Sequence, residues 1–168
     1  SMKNKSLYIF DFDDTLVHTD NKVRVINGNS LTLLSSKQFA NYEKKDGDIF
    51  DFSDFETYPS NIKPIKKVFD IFLEAIKKHG VQNVVILTAR SNGEDIKDVL
   101  VNLGISDQIL VFAVGNADPK AKALVIKNII KKNIFTNFHL YEDSIRNINA
   151  IKNAFKTKKC NLIVNYVG

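Results

Sequence analysis

Short apolar runs recur along the chain, and several of them stop abruptly on polar residues. Residues 7–10, 84–87, 109–114 and 138–141 are almost continuously apolar, the pattern of strands buried on both faces of a parallel sheet. Residues 161–165 add a final strand. Helical stripes separate these runs. Ile65, Val68, Phe69, Phe72 and Ile76 follow Pro64, which suits a first helical position, and end at Gly80. Ile96, Val99, Leu100 and Leu103 form a second stripe, with Ser91 and Glu94 as a capping box and Gly104 closing it. Asp118-Pro119 opens a third helix that runs to about Lys132, and Ile145, Ile148, Ile151 and Phe155 mark a fourth. Strands and helices in this alternation predict an α/β fold: a doubly wound, three-layer Rossmann-like domain with a parallel central sheet, spanning residues 2–168.

Residues 18–62 break the pattern. Strand-like runs flank Asn27-Gly28, a strong short-range hairpin signal, and predict a small β-hairpin flap. The rest of the insertion is acidic and aromatic (Phe39, Tyr42, Phe50, Phe52, Phe55, Tyr58). A short helix and an irregular loop are expected there, with the aromatics tucked onto the domain and no large cap.

Composition changes this picture little. At 168 residues, 44% hydrophobic and 26% charged, the chain has the balance of a soluble globular protein. No apolar run approaches the ~18 residues of a membrane span. The lone Cys160 allows no internal disulfide, so a cytoplasmic monomer is expected. Zinc chemistry lacks ligand spacing among His18, His79, His139 and Cys160, and no P-loop or dinucleotide fingerprint is present. The net charge of +5 is compatible with a nucleic-acid or phosphate-rich partner. Its lysines crowd the last third, whereas residues 46–56 are acidic.

The chemistry lies at the strand ends. The first strand stops on Asp11 and Asp13, the second on Thr88 and the fourth on Glu142-Asp143. Ends on one edge of a parallel sheet lie close together whatever their sequence separation. Acids brought together repel unless a cation or protons compensate, so a divalent cation is expected among them. Lys120 and Lys122 fall in the first turn of a helix, where the macrodipole disfavours a cation unless an anion is near.

These residues resemble the four motifs of the haloacid dehalogenase superfamily of phosphohydrolases. DFDDT resembles the first motif, LTAR the second, Lys122 (with Lys120 as the alternative) the third, and YEDS the fourth. The resemblance implies Asp11 as nucleophile and Asp13 as acid and base. It implies Mg²⁺ held by Asp11, Asp13 through its carbonyl, and Asp143, with Glu142 beside it. Thr88 and Lys122 would grip the phosphate, aided by backbone N–H groups after Asp11. Phe12, Thr15, Ala89, Arg90 and Lys120 are the expected substrate-binding positions. A second aspartate points to phosphate chemistry, because superfamily dehalogenases lack it. With only about 70 residues between the first two motifs, a capless phosphatase is implied.

Among capless relatives, the layout is similar to the phosphatase domain of bacteriophage polynucleotide kinase, including Arg90 and Asp118. That likeness implies nucleic-acid 3′-phosphate ends or nucleotides as substrates. DFDDTLVH also resembles the carboxy-terminal-domain phosphatases of RNA polymerase, whose fourth motif YEDS does not match. A small-metabolite phosphatase is a further alternative. A receiver-like phosphoacceptor module would need its aspartate after the third strand, where Ala113-Val114-Gly115 stands.

Overall fold

The computed structural model describes residues 4–168. The chain runs β1 (Ser6–Phe10), β2 (Val17–His18), β3 (Lys22–Asn27), β4 (Ser30–Ser35), α1 (Ser36–Ala40), β5 (Ile49–Asp51) and β6 (Lys63–Pro64). It continues through α2 (Lys66–His79), β7 (Val84–Thr88), α3 (Gly93–Asn102), β8 (Leu110–Ala113), α4 (Pro119–Lys131), β9 (Asn137–Glu142), α5 (Ile145–Phe155) and β10 (Asn161–Tyr166). Five strands form a parallel sheet in the order β10-β9-β1-β7-β8, with helices on both faces. The domain is therefore α/β and Rossmann-like.

Alternation along each strand decides which helices it packs against. In β1, Phe10 faces α2 and α3, joining Phe72, Ile96 and Leu100. Leu7 and Ile9 face α4 and α5, joining Ile126, Ile148 and Ile151. Val84 and Ile86 against Val85 and Leu87 divide β7 in the same way. Phe10 meets the edge of Phe72 at 5.1 Å and stacks on Tyr141 of β9 at 4.4 Å between ring centroids. After β1 the main sheet grows outward through β7 and β8, then reverses to β9 and β10. That reversal puts a crevice at the carboxyl ends of β1 and β9, where ligands of open α/β sheets bind.

The insertion is larger than a hairpin. β5 pairs antiparallel with β3, making a three-stranded sheet in the order β4-β3-β5. Its aromatics do not tuck onto the main domain core. Phe39, Tyr42, Phe50, Phe52 and Phe55 pack instead around Val23, Val25 and Leu34, a separate small core. Residues 49–51 lack a strand-like run long enough to announce this third strand. The tight turn is Gly28-Asn29 rather than Asn27-Gly28, because Asn27 pairs with Ser30. Positive φ occurs at Gly28 alone, at 58°, the requirement of a type II′ turn.

Two boundaries also move. Pro64 does not start α2; it pairs with Val17 as an edge strand, and Ile65 caps the helix. A prolyl nitrogen is tolerated at such an edge because no ladder donor is needed there. The α3 cap is Asn92, whose side chain accepts from Asp95 N–H, one residue later than the Ser91/Glu94 box. Asp118-Pro119, Gly80 and Gly104 act as the sequence predicts: Asp118 caps α4, Gly80 ends α2 at φ 89°, and Gly104 follows α3 at φ 95°. Among the described residues, no helix is long and apolar enough to cross a membrane.

Phe72 is fully buried between the sheet and Phe69. Phe72→Ala is expected to cost about 3–5 kcal/mol of unfolding free energy, read from the urea midpoint at unchanged slope.

Candidate active site

The chain leaves β1 into a turn, not an extended segment. Asp11 N–H donates to Tyr141 O at 2.9 Å, locking this exit to the end of β9. Leu16 N–H then donates to Phe12 O, and Asp14 N–H to Val17 O. Asp14 closes the turn at φ 60°, a left-handed conformation that aspartate tolerates better than most residues. The i, i+2 rule for strands therefore does not apply, yet Asp11 and Asp13 both reach the same cleft.

Lys122 organises the floor. It lies in the first turn of α4, is 2% exposed, and donates at 2.8 Å to both Asp11 Oδ1 and Glu142 Oε1. Thr15 Oγ1 donates to Asp11 Oδ2 at 2.9 Å and lies 3.4 Å from Asp143 Oδ1. Glu142 also accepts from Ser144 N–H and Asn147 Nδ2. These extra donors explain why one ammonium serves the two acids unequally. Burial opposes ionisation of Glu142, but Lys122 and the other donors overcome it and hold its pKa below the usual value. Burial, with Glu142 and Asp143 nearby, drives Asp11 well above the usual range despite Lys122. Burial and Glu142 push Asp143 up to about 7, against a lowering hydrogen bond with Asp11. Burial would lower the pKa of Lys122, but Asp11 and Glu142 outweigh it and hold it raised.

Arg90 organises the opposite side. Its Nε and Nη2 each donate to Asp13 at 2.8 Å, a bidentate pair, and Nη2 also reaches Asn21 Oδ1 at 3.1 Å. Asn21 in turn donates to Asp54 O in the insertion. The guanidinium lies over Phe55 at 4.8 Å and Phe12 at 5.7 Å. Its Nη1 is buried without a hydrogen-bond partner, so the ring faces are its compensation. A second tie runs from Asp14 to Ser36 Oγ at the start of α1, with His18 Nδ1 at 2.8 Å from the other Asp14 oxygen.

The cleft between these groups has a volume of about 250 Å³. Asp11, Asp13, Ala89, Arg90, Lys122 and Asp143 line it. Glu142 lies just behind, 1% exposed and within the acidic cluster. Thr88, Phe12 and Thr15 are fully buried and do not line it. The Thr88 hydroxyl accepts Arg90 N–H, Phe12 packs in the core, and Thr15 bridges the carboxylates. Lys120 is exposed and away from the cleft, which leaves Lys122 as the site lysine. Sequence reasoning missed Asp14, Asn21, Ser36 and Asn147. Asn147 was legible in principle, since the Ser144 cap turns the first turn of α5 back toward Glu142.

Asp11, Glu142 and Asp143 each offer an oxygen within 4.8 Å of the others, an arrangement that can hold a metal ion. Carboxylate oxygens suit a hard divalent cation. The charges fit too: three carboxylates face one ammonium, leaving two negative charges when all ionise. The Asp13 carboxylate is committed to Arg90 instead. No family model, curated protein or solved structure matches this chain.

Raised carboxylate pKa values link stability to pH. Asp143 retains its proton up to about pH 7 in the fold but loses it near 4 when unfolded. Its contribution is complete below the unfolded pKa and is lost as pH rises through about 7, with Asp11 acting in the same direction. In chelator, the melting temperature is expected to fall between pH 5 and 8, less steeply in Asp143→Asn. Added Mg²⁺ should recover the loss at pH 8 and do little at pH 5; a flat profile with no metal response would contradict the charge assignment.

Proposed function

We propose that this protein is a Mg²⁺-dependent phosphomonoester hydrolase working through an aspartyl-phosphate, as its motifs resemble those of haloacid dehalogenase-type phosphatases. The observation that carries this reading is the Lys122 bridge. It holds Asp11 beside Asp143 at the carboxyl end of the central strand, with Asp13 on the same cleft.

The chemistry follows from these positions. Asp11 attacks phosphorus in line, forming an O–P bond as the bond to the leaving alkoxide breaks. Asp13 gives a proton to that alkoxide, then takes one from the water that attacks the aspartyl-phosphate, releasing inorganic phosphate and free Asp11. Both Asp13 oxygens accept from Arg90 at rest, so one must turn away before it can serve a leaving group. Lys122 and the N-terminal dipole of α4 place positive charge beside the phosphoryl oxygens. A divalent cation, when bound at Asp11 and Asp143, supplies the neutralisation that lets a carboxylate approach an anion. Thr15 keeps Asp11 and Asp143 mutually oriented.

The net charge of +5 favours a nucleic-acid 3′-phosphate end or nucleotide as substrate, while Glu56 on the cleft wall disfavours a long polyanion. Phosphate release in Mg²⁺ from a 3′-phosphorylated oligonucleotide and a nucleoside monophosphate tests class and substrate together. Asp11→Asn should lower the rate by on the order of 10³-fold or more, and chelation should abolish it. Release that survives in Asp11→Asn would refute the covalent route.

A further inference from the structure

The insertion supplies a wall of the cleft whose chemistry differs from that of the strand ends. Val23, Phe39, Ala40, Phe52 and Phe55 line it, and Glu56 is the one charged residue the insertion contributes. We infer that this wall receives an uncharged aromatic ring in the leaving group, so the substrate is a small aryl-bearing or heterocyclic phosphomonoester. The inference rests on the hydrolase reading for the phosphoryl half of the substrate; the wall itself is argued independently.

Several observations converge on a ring. Phe39 meets both Phe50 and Phe52 edge-on, at 5.2 and 5.1 Å between centroids, so its ring is fixed by neighbours rather than free to collapse into the cleft. Phe55 is held beneath the Arg90 guanidinium. Preorganised aromatic surface beside a polar site favours planar apolar groups through offset or edge-to-face contact. Glu56 would repel a leaving group carrying further phosphates.

Size and anchoring point the same way. A cleft of about 250 Å³ is at the lower end of small-molecule sites, which start near ~300 Å³. The wall is tied to the catalytic loop at two places, Ser36 to Asp14 and, through Asn21, Asp54 to Arg90. Its distance from Asp11 is therefore set by the fold, and the ring must sit a fixed reach from the phosphorus. A flexible alkyl chain would meet the same surface without stacking on it.

Two esters with similar leaving alcohols isolate the ring: 2-phenylethyl phosphate and propyl phosphate. For the full chain in Mg²⁺, the ring ester is expected to have the higher kcat/KM by roughly ten- to hundredfold, carried mainly by KM. The non-hydrolysable pair 2-phenylethylphosphonate and ethylphosphonate, titrated calorimetrically, should differ in Kd in the same sense. Phe39→Leu and Phe52→Leu, checked for folding by circular dichroism, should shrink both ratios to a few-fold. Leu33→Ala, an exposed change elsewhere on the insertion, should leave both ratios intact.

Equal treatment of the two esters and of the two phosphonates by the unaltered chain would overturn the inference. Turnover of neither ester with the phosphonate preference retained would retire the hydrolase reading while supporting the aromatic wall. Turnover or binding that favours a 3′-phosphorylated oligonucleotide over every small ester would also overturn it.

Discussion

One buried ammonium holds the floor of this cleft together. Three carboxylates meet at the carboxyl ends of β1 and β9, and burying unpaired charge is among the most costly things a fold can do. Lys122 resolves part of that cost by donating to Asp11 and Glu142 at once. Its position is itself unfavourable by helix electrostatics, since a cation in a first turn opposes the macrodipole. Lysine and acids each remove the other's penalty, so neither arrangement is stable without its counterpart. What the ammonium leaves uncompensated falls on Asp11 and Asp143, the carboxylates whose pKa values rise and the pair most in need of a second cation.

The other side of the cleft depends on Arg90 in a similar way. It is 4% exposed, spends Nε and Nη2 on Asp13 and Asn21, and rests Nη1 on aromatic faces. Through Asn21 and Asp54 this one side chain reaches the insertion, and through Thr88 its backbone is fixed to β7. The insertion is thus an extension of the site rather than a separate ornament. Its small core keeps the aromatic wall in shape, and the Arg90 and Asp14 ties set where that wall stands.

Much of this could be read in the sequence, for definite physical reasons. Apolar runs such as residues 84–87 have no alternative to a two-sided burial, and glycines at 80 and 104 hold φ values of 89° and 95° that end helices. Asp118-Pro119 caps α4 because both residues suit only that end. The strand ends named Asp11, Glu142, Asp143 and Lys122 for the same reason: charge at a sheet edge needs a partner. What escaped depends on contacts between distant residues. β5 is only three residues long and exists because β3 offers it an edge. Asn21, Asp14 and Ser36 are ordinary polar residues whose importance comes from burial against Arg90 and α1. Thr15 was placed with the right motif, but its hydroxyl turns inward to the carboxylates, because the chain after Asp11 curls where an extended strand was assumed.

That curl has a consequence for how the two halves of the site work together. An extended D-x-D would present both carboxylates side by side, and they would compete for one cation. The turn at Asp14 instead sends Asp11 to Lys122 and Asp13 to Arg90, so each acid has its own cationic partner. On the proposed reading, nucleophile and proton carrier are thereby kept electrostatically apart although two residues separate them in sequence. The partner of Asp13 is also the residue that touches Phe55 and, through Asn21, the insertion. Any ligand that presses on the aromatic wall therefore acts on the same guanidinium that holds Asp13. Release of one Asp13 oxygen and occupancy of the wall are coupled through a single side chain, without a moving domain.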